Sequence, residues 1–317
     1  VAVSSPRSNS SSAVGSDKHW RAGCETAFPI RDYDLNATLN SGQVFRWRQD
    51  GAGWNGVVAG RWVRLTCERG KLRAATVVPQ CDWTWLRHYL QAEVNLDSVL
   101  QTFPDDKPMR AAVAACRGLR VLRQDPWECL ASFLLSATKQ IVQIREIVEL
   151  LCGRYGEPIP GPVGETPARS FPSAARIASL SEEALRRCKM GFRAPYLQNA
   201  ARAVAGGCLD LARLSEIPLA QARERLMQLD GVGPKIADCV LLFSLGFDAA
   251  FPIDVWVERA LRELYFPRRR VRRETSKDIP LPQHPARMQE PLLVKARQPA
   301  HARVPRTRLA RGEGKTV

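Results

Sequence analysis

The sequence is poor in histidine and has no closely spaced cysteine pairs, which argues against several kinds of site. Only four histidines occur in 317 residues, so a zinc site or a Ser-His-Asp triad is not expected. The nine cysteines include no C-x-x-C pair, which argues against an iron–sulfur cluster and for reduced thiols. We therefore expect no cofactor and no metal. Reduced thiols predict a cytoplasmic location if the chain is bacterial and a nuclear one if it is eukaryotic.

Long apolar runs are also missing. No run approaches the roughly 20 residues that cross a bilayer, and residues 1–15 are polar and lack the apolar centre of a signal peptide. We expect no membrane association. Residues 1–22 are predicted to be a disordered leader.

Positive charge is unevenly distributed along the chain. The net charge is +15, but residues 267–317 hold 14 Lys and Arg against 4 Asp and Glu. The same segment has seven prolines and no aromatic residue, so we predict a basic disordered tail. The remaining body carries only a small positive excess, which by itself is weak evidence for nucleic-acid binding.

Two patterns divide the body of the chain. Residues 43–48, 54–58, 62–66 and 71–75 have strand character, with a turn at 59–61, and a covering helix is predicted at 82–90. From residue 107 the pattern becomes helical. Asp125-Pro126-Trp127-Glu128 is typical of a helix start, with Asp as the cap and Pro at the first helical position. Further helices are predicted in these segments: 127–135, 141–151, 173–179, 181–188, 195–206 and 218–229.

These patterns predict an α+β fold that is mainly helical, with an antiparallel β-sheet domain at residues 23–115 and a helical region at 116–266. Within the helical region, Gly231-Val232-Gly233 separates two predicted helices and Pro234 opens the second. A glycine hairpin exposes backbone N–H groups that suit a phosphate, so Gly231, Val232 and Gly233 are predicted to bind the DNA backbone without reading its sequence. The alternative is an ordinary helix–helix turn.

Lys235 follows the hairpin at a helix start, where the helix dipole disfavours a positive charge. Such an amine is a candidate nucleophile, although a surface lysine is the simpler interpretation. Cys239 lies four residues later on the same helix face and could share a proton or pack against a base. A small buried apolar residue is the simpler interpretation for it. Asp254 is predicted to cap the following helix and could also stabilise positive charge on a deoxyribose.

At these residues the chain resembles the 8-oxoguanine DNA glycosylase family, within the superfamily that carries a helix-hairpin-helix and a Gly/Pro–Asp loop. The resemblance covers residues 25–266. Four motifs carry it in the family's order: Ser41-Gly42-Gln43-Val44-Phe45-Arg46-Trp47, Leu122-Arg123-Gln124-Asp125-Pro126-Trp127-Glu128-Cys129-Leu130, Gly191-Phe192-Arg193-Ala194-Pro195-Tyr196 and the hairpin–Lys235–Asp254 block.

The resemblance implies a bifunctional repair enzyme that flips 8-oxoguanine out of duplex DNA. In this family the lysine at the position of Lys235 attacks the anomeric carbon and forms a Schiff base, and β-elimination then cuts the strand. The position of Asp254 stabilises the charged sugar. The glycine at the position of Gly42 offers its carbonyl to the N–H that distinguishes 8-oxoguanine from guanine. The residue at the position of Cys239 lines one face of the flipped base.

The resemblance also implies three DNA contacts. The residue at the position of Phe192 is an aromatic wedge in the base stack. The arginine at the position of Arg193 reads the cytosine that is left unpaired when the opposite base flips out. Thr138 begins a Thr-Lys-Gln turn where many members have an Asn-rich turn, and Gln143 stands in place of a second cytosine-reading arginine. Members continue past the Tyr265 region into a helix that closes the base pocket, whereas here the aromatic-free tail follows, which predicts a pocket lacking one wall.

Two other functions remain open from the sequence. One is a glycosylase of the same superfamily that removes alkylated bases, against which Lys235 argues. The other is a DNA-binding module with impaired catalysis. In every case the expected partner is double-stranded DNA. For an 8-oxoguanine glycosylase, that DNA contains oxidised guanine. The chain is expected to be a monomer.

Overall fold

The computed structural model describes residues 23–137, 139–164 and 167–266. The predictions for residues 1–22, for Thr138 and for residues 267–317 lie outside this part of the chain. The described residues form an antiparallel sheet followed by a helical region, so the predicted α+β fold class is confirmed.

Five antiparallel strands form the sheet in the order β1-β5-β4-β3-β2. Their bounds are β1 Glu25–Pro29, β2 Arg48–Asp50, β3 Gly53–Val58, β4 Arg61–Glu68 and β5 Lys71–Thr76. Ala59 and Gly60 both have positive φ, 48° and 70°, as the two-residue turn between β3 and β4 requires.

Twelve α-helices accompany the sheet in the described residues. Four lie in the first half of the chain: α1 Leu35–Asn40, α2 Thr84–Leu90, α3 Leu96–Leu100 and α4 Lys107–Cys116. The others are α5 Pro126–Leu134, α6 Ile141–Tyr155, α7 Ala174–Ala178, α8 Glu182–Leu185, α9 Ala194–Ala205, α10 Leu219–Met227, α11 Pro234–Phe243 and α12 Val255–Leu264. The predicted start of α5 is confirmed, because the Asp125 carboxylate accepts a hydrogen bond from Glu128 N at 2.8 Å.

Two predicted elements are wrong. Residues 43–47 do not form a strand, and only Arg48 of the predicted segment belongs to β2. The predicted helix at 181–188 ends as an α-helix at Leu185 and continues as a π-helical turn over Arg186–Met190. Cys188 and Lys189 leave helical geometry there, and Lys189 has φ +63°. This break turns the chain just ahead of Phe192.

Two hydrophobic cores place the functional segments. One lies between the sheet and α1 and α2, and the larger one lies among α5, α6, α9, α10 and α11. The segment 43–47 runs between them: Val44 and Trp47 are buried in the sheet core and Phe45 in the helical core. The apolar alternation that predicts a strand therefore comes from side chains that enter two cores.

Candidate active site

The glycine hairpin joins α10 to α11 in the predicted way. Val232 is buried between the helices, and its N–H donates to Leu229 O at 3.1 Å. Gly231 has φ +80°, and a Cβ there would lie 2.7 Å from Tyr196 Cδ2 on α9. Gly233 is the extended residue before α11, and a Cβ on it would meet no heavy atom within 4 Å. The two glycines therefore have different structural requirements.

Lys235 is the second residue of α11, and its ammonium group lies over an aromatic platform. The distance from Nζ to the ring centroid of Phe133 is 5.3 Å, within the range of a cation–π contact. Phe133 stacks on Phe243 at 5.6 Å and meets Phe45 edge-on at the same distance. The platform thus connects the lysine, α5, α11 and the segment that follows Gly42.

Gly42 is buried and has φ +83°, a conformation that favours glycine. The next residue, Gln43, fixes the segment: its Nε2 donates to Arg120 O at 2.8 Å, and its Oε1 accepts from Leu122 N at 2.8 Å. Gln124 completes the connection, since its side chain donates to Gln43 O and its backbone N donates to Phe243 O, both at 2.8 Å. The Gly42 segment is therefore attached to the C-terminal end of the helix that carries Lys235.

Asp254 caps α12, as predicted. Its Oδ1 accepts from Trp256 N at 3.0 Å and from Val257 N at 2.8 Å. Asp254 ends the loop that joins α11 to α12. Lys235 and Asp254 thus sit at the N-terminal ends of two consecutive helices.

Cys239 is only 2% exposed and belongs to the helical core. Its carbonyl accepts the thiol of Cys129 on α5 at a sulfur–oxygen distance of 4.0 Å. Burial raises the pKa of Cys129 well above its usual value, so that thiol is a neutral packing group. The role of Cys239 against a flipped base stays a prediction.

Phe192 and Arg193 lie together at the start of α9 but differ in exposure. Phe192 is 58% exposed, and its ring meets Tyr196 edge-on at 6.3 Å. Arg193 is 2% exposed, stacks its guanidinium on Phe192 at 4.3 Å and donates to Ala137 O. Burial lowers the pKa of Arg193. In this conformation Phe192 is accessible to a DNA duplex, whereas Arg193 must leave the Ala137 carbonyl to reach a base, so its contact stays a prediction.

Gln143 has a local role in the structure. Its Oε1 accepts the backbone N–H of Gln140 at 3.2 Å as part of the capping box that begins α6.

Tyr196 joins the two predicted DNA contacts, because its ring touches both Phe192 and the position of Gly231. Asn199, one turn later on α9, donates to Asp230 of the hairpin at 3.2 Å. The wedge and the hairpin are therefore carried by one packed unit.

A cavity of about 700 Å³ lies between the sheet and α5, lined by Arg46, Trp85 and Glu128 among others. Neither Lys235 nor Asp254 lines it.

All nine cysteines are free thiols. In the part of the chain that the structure describes, no group of three His, Cys, Asp or Glu side chains could hold a metal ion. No helix within the described ranges is long and apolar enough to cross a membrane.

Comparison with known proteins identifies the family. Residues 26–130 match the N-terminal domain of 8-oxoguanine DNA glycosylase, and residues 131–281 match the HhH-GPD superfamily of base excision DNA repair proteins. The N-glycosylase/DNA lyase OGG1 of Arabidopsis thaliana is 33% identical over 270 residues, which are 80% of this chain and 73% of that protein. The chain belongs to the 8-oxoguanine DNA glycosylase family.

Two further relatives agree with this assignment. A probable N-glycosylase/DNA lyase of Methanothermobacter thermautotrophicus is 30% identical over 75% of this chain and 84% of its own length. The solved structure of MBOgg1 with a low-affinity DNA ligand superposes on this glycosylase with a TM-score of 0.81 and 30% identity, covering 87% of this chain and 96% of that one. The enzyme class, an N-glycosylase/DNA lyase, follows from these relatives.

The sequence did not reveal three residues of this glycosylase that shape the site. Phe133 was predicted only as part of an apolar helix, Tyr196 only as part of a motif, and Asp238 received no role. Asp238 could have been noticed, because a carboxylate between Ala237 and Cys239 interrupts an apolar helix face. Its partner Arg223 on α10 could not have been identified without the fold.

Proposed function

We propose that this chain excises 8-oxoguanine from duplex DNA and then cuts the abasic strand. The observation that carries the proposal is the placement of Lys235. It stands in the first turn of α11, directly after the hairpin, on a helix hydrogen-bonded through Gln124 to the Gly42 segment. One helix therefore relates the amine both to the DNA-binding hairpin and to the residue assigned to base recognition.

Lys235 is the nucleophile in this mechanism. Its amine attacks C1′ and gives up a proton, the N-glycosidic bond breaks, and the bonding electrons leave with the base, which takes up a proton. Ring opening gives an imine between Nζ and C1′. Loss of a proton from C2′ then expels the 3′ phosphate, and water releases the lysine.

Asp254 acts on the first of these steps. A carboxylate held by two backbone N–H groups keeps a fixed place, which suits stabilisation of positive charge on the sugar as the base departs. The later elimination begins from an imine that already exists, so it depends less on Asp254.

The hairpin Gly231-Val232-Gly233 binds the DNA backbone, and Phe192 fills the space left by the flipped base. Gly42 supplies the carbonyl for lesion recognition, Cys239 lines the base, and Arg193 reads the opposite cytosine. Thr138 is a further DNA-binding residue in this proposal. The protein acts as a monomer, in the cytoplasm of a bacterium or the nucleus of a eukaryote.

Borohydride trapping tests the proposal. Reduction of the imine leaves a covalent protein–DNA adduct, which we expect with a duplex that carries one 8-oxoguanine opposite cytosine. Lys235→Gln should lose the adduct and strand cutting but keep DNA affinity. Lys71→Gln, which removes a lysine of strand β5, is the matched control and should trap normally.

Four other outcomes would contradict part of the proposal. An adduct on abasic DNA but none on 8-oxoguanine DNA would mean that the lysine works and the base pocket does not. DNA binding without any adduct would indicate a binding module. Strand cutting by Lys235→Gln would show that another residue is the nucleophile. Release of alkylated bases without release of 8-oxoguanine would favour the other branch of the superfamily.

A further inference from the structure

Gln124 connects the two segments that carry the glycine assigned to base recognition and the lysine assigned to the chemistry. Its side-chain Nε2 donates to Gln43 O, and its backbone N–H donates to Phe243 O, both at 2.8 Å. Gln43 follows Gly42 directly in the sequence. Phe243 ends α11, and Lys235 is the second residue of that helix. Gln124 therefore joins the Gly42 segment to the helix of Lys235 through one side-chain bond and one backbone bond.

The side chain of Gln43 is bonded in the other direction, toward the sheet. Its Nε2 donates to Arg120 O at 2.8 Å and to Thr38 O of α1 at 3.2 Å. Its Oε1 accepts from the backbone N–H of Leu122, a residue of the sheet core, at 2.8 Å. Gln43 is only 3% exposed. The residue after Gly42 is thus held at its side chain by the sheet side and at its carbonyl by Gln124.

The conformation of Gly42 makes this anchoring important. Gly42 has φ +83° and no side chain, so it offers little restraint on the direction of its own carbonyl. Phe45 and Phe133 pack edge-on at 5.6 Å and also hold the segment near α11. Ring contacts of this kind fix proximity, whereas a hydrogen bond weakens steeply as it departs from a straight line. The hydrogen bonds of Gln43 therefore determine where the Gly42 carbonyl points.

We propose that Gln124 is a positioning residue that aims the Gly42 carbonyl at the flipped base and thereby sets the preference for 8-oxoguanine over guanine. The inference rests on the proposed function, in which Gly42 accepts the N–H that guanine lacks while Lys235 attacks C1′ of the same nucleotide. A misplacement of about 1 Å in such a site can cost about 100-fold in rate. Gln124 touches neither the base nor the sugar in this scheme and acts through Gln43.

Gln124→Met tests the side-chain bond alone. Methionine has nearly the length of glutamine and keeps the backbone bond to Phe243 O, but it has no N–H for Gln43 O. The variant should slow single-turnover release of 8-oxoguanine by about fivefold or more, as expected for one misaligned hydrogen bond. Cutting of a pre-formed abasic site needs no contact with a base, so its rate should stay within about twofold of the native rate.

A binding measurement separates recognition from chemistry. Lys235→Gln removes the nucleophile, so lesion and unmodified duplexes can be compared by fluorescence anisotropy without turnover. Adding Gln124→Met to Lys235→Gln should reduce the preference for the 8-oxoguanine duplex by about fivefold and leave affinity for the unmodified duplex unchanged.

Two controls accompany the variant. The amide of Gln80 donates to Val78 O at 2.7 Å in the loop after β5, an exposed bond, so Gln80→Met removes the same chemical group and should keep native rates and preference. Val148→Ala removes buried volume from α6 and lowers stability, which urea unfolding measures. It should slow both reactions equally, in proportion to its active fraction by trapping.

An equal loss in base release and abasic-site cutting for Gln124→Met would overturn the inference, as would an unchanged preference in the binding measurement. Native rates of base release in Gln124→Met would also overturn it. Absence of 8-oxoguanine release by the native protein would instead contradict the proposed function, and that result is obtained before any variant of Gln124 is compared.

Discussion

Glu128 provides a quantitative test of the packing between the two cores. It lies in the first turn of α5, and its carboxylate is 3.6 Å from Arg46 Nη1. Arg46 also donates to Arg169 O, so the pair connects the Gly42 segment to the helical region. Burial raises the pKa of Glu128 from 4.5 to about 7, although the charge of Arg46 acts in the opposite direction.

The raised pKa determines the direction of the pH dependence. Between pH 4.5 and about 7 the folded protein binds a proton at Glu128 that the unfolded chain does not bind. The free energy of unfolding should therefore fall as the pH rises through this window. At about 1.4 kcal/mol per pKa unit, the loss attributable to Glu128 is about 3 kcal/mol. Above pH 7 both states are ionised and the contribution is constant.

Urea unfolding at five pH values between 4.5 and 8 measures this contribution when the native protein is compared with Glu128→Gln. The variant cannot titrate at this position, so the stability of the native protein relative to the variant should decrease by about 3 kcal/mol across the window. The matched control is Glu263→Gln on α12, because Glu263 pairs with Arg259 and its side chain is 60% exposed. It should shift stability by less than about 1 kcal/mol at every pH. Parallel curves for the native protein and Glu128→Gln would refute the reasoning, as would a difference of opposite sign.

Two further predictions concern the DNA-binding surface. Gly231→Ala should destabilise the fold by about 1–3 kcal/mol and weaken duplex binding, because the φ of Gly231 is +80° and the new Cβ meets Tyr196. Gly233→Ala should retain stability, because a Cβ there meets no heavy atom within 4 Å. Chemical unfolding measures the stability of each variant and fluorescence anisotropy its duplex binding, and an equal loss of stability in the two variants would contradict the argument. Phe192→Ala should change stability by less than about 0.5 kcal/mol because the ring is 58% exposed, yet slow base release. The matched control is Val142→Ala, at 73% exposure. Normal base release by Phe192→Ala in single-turnover assays would remove it as the wedge.

Local signals were sufficient for much of the fold. The start of α5 was predictable because Asp125 and Pro126 satisfy the helix end by themselves. The β3–β4 hairpin and the glycine hairpin were predictable for the same reason, since the residues of each turn set their own backbone conformation. The cap of α12 by Asp254 belongs to this class as well.

The errors arise where distant contacts decide the backbone. Residues 43–47 alternate like a strand, but the hydrogen bonds of Gln43 go to Arg120 and Leu122 instead of to a neighbouring strand. Strand β1 and helix α1 were missed: β1 is defined by its pairing with β5, more than forty residues later, and α1 is only six residues long. A periodic pattern records which side chains are buried but not what buries them.

The same distinction explains how much of the candidate site could be predicted. Lys235, Asp254 and the glycine hairpin were found because each lies in a motif of a few residues. Their mutual placement depends on contacts between segments: Gln124 joins the Gly42 segment to the end of α11, and Asp238 joins α11 to Arg223 on α10. A chain with the motifs but without these two side chains would have the reactive groups without the alignment that their chemistry requires. Sequence motifs therefore predict the type of reaction, whereas the placement of the reactive groups is set by hydrogen bonds that lie outside the motifs.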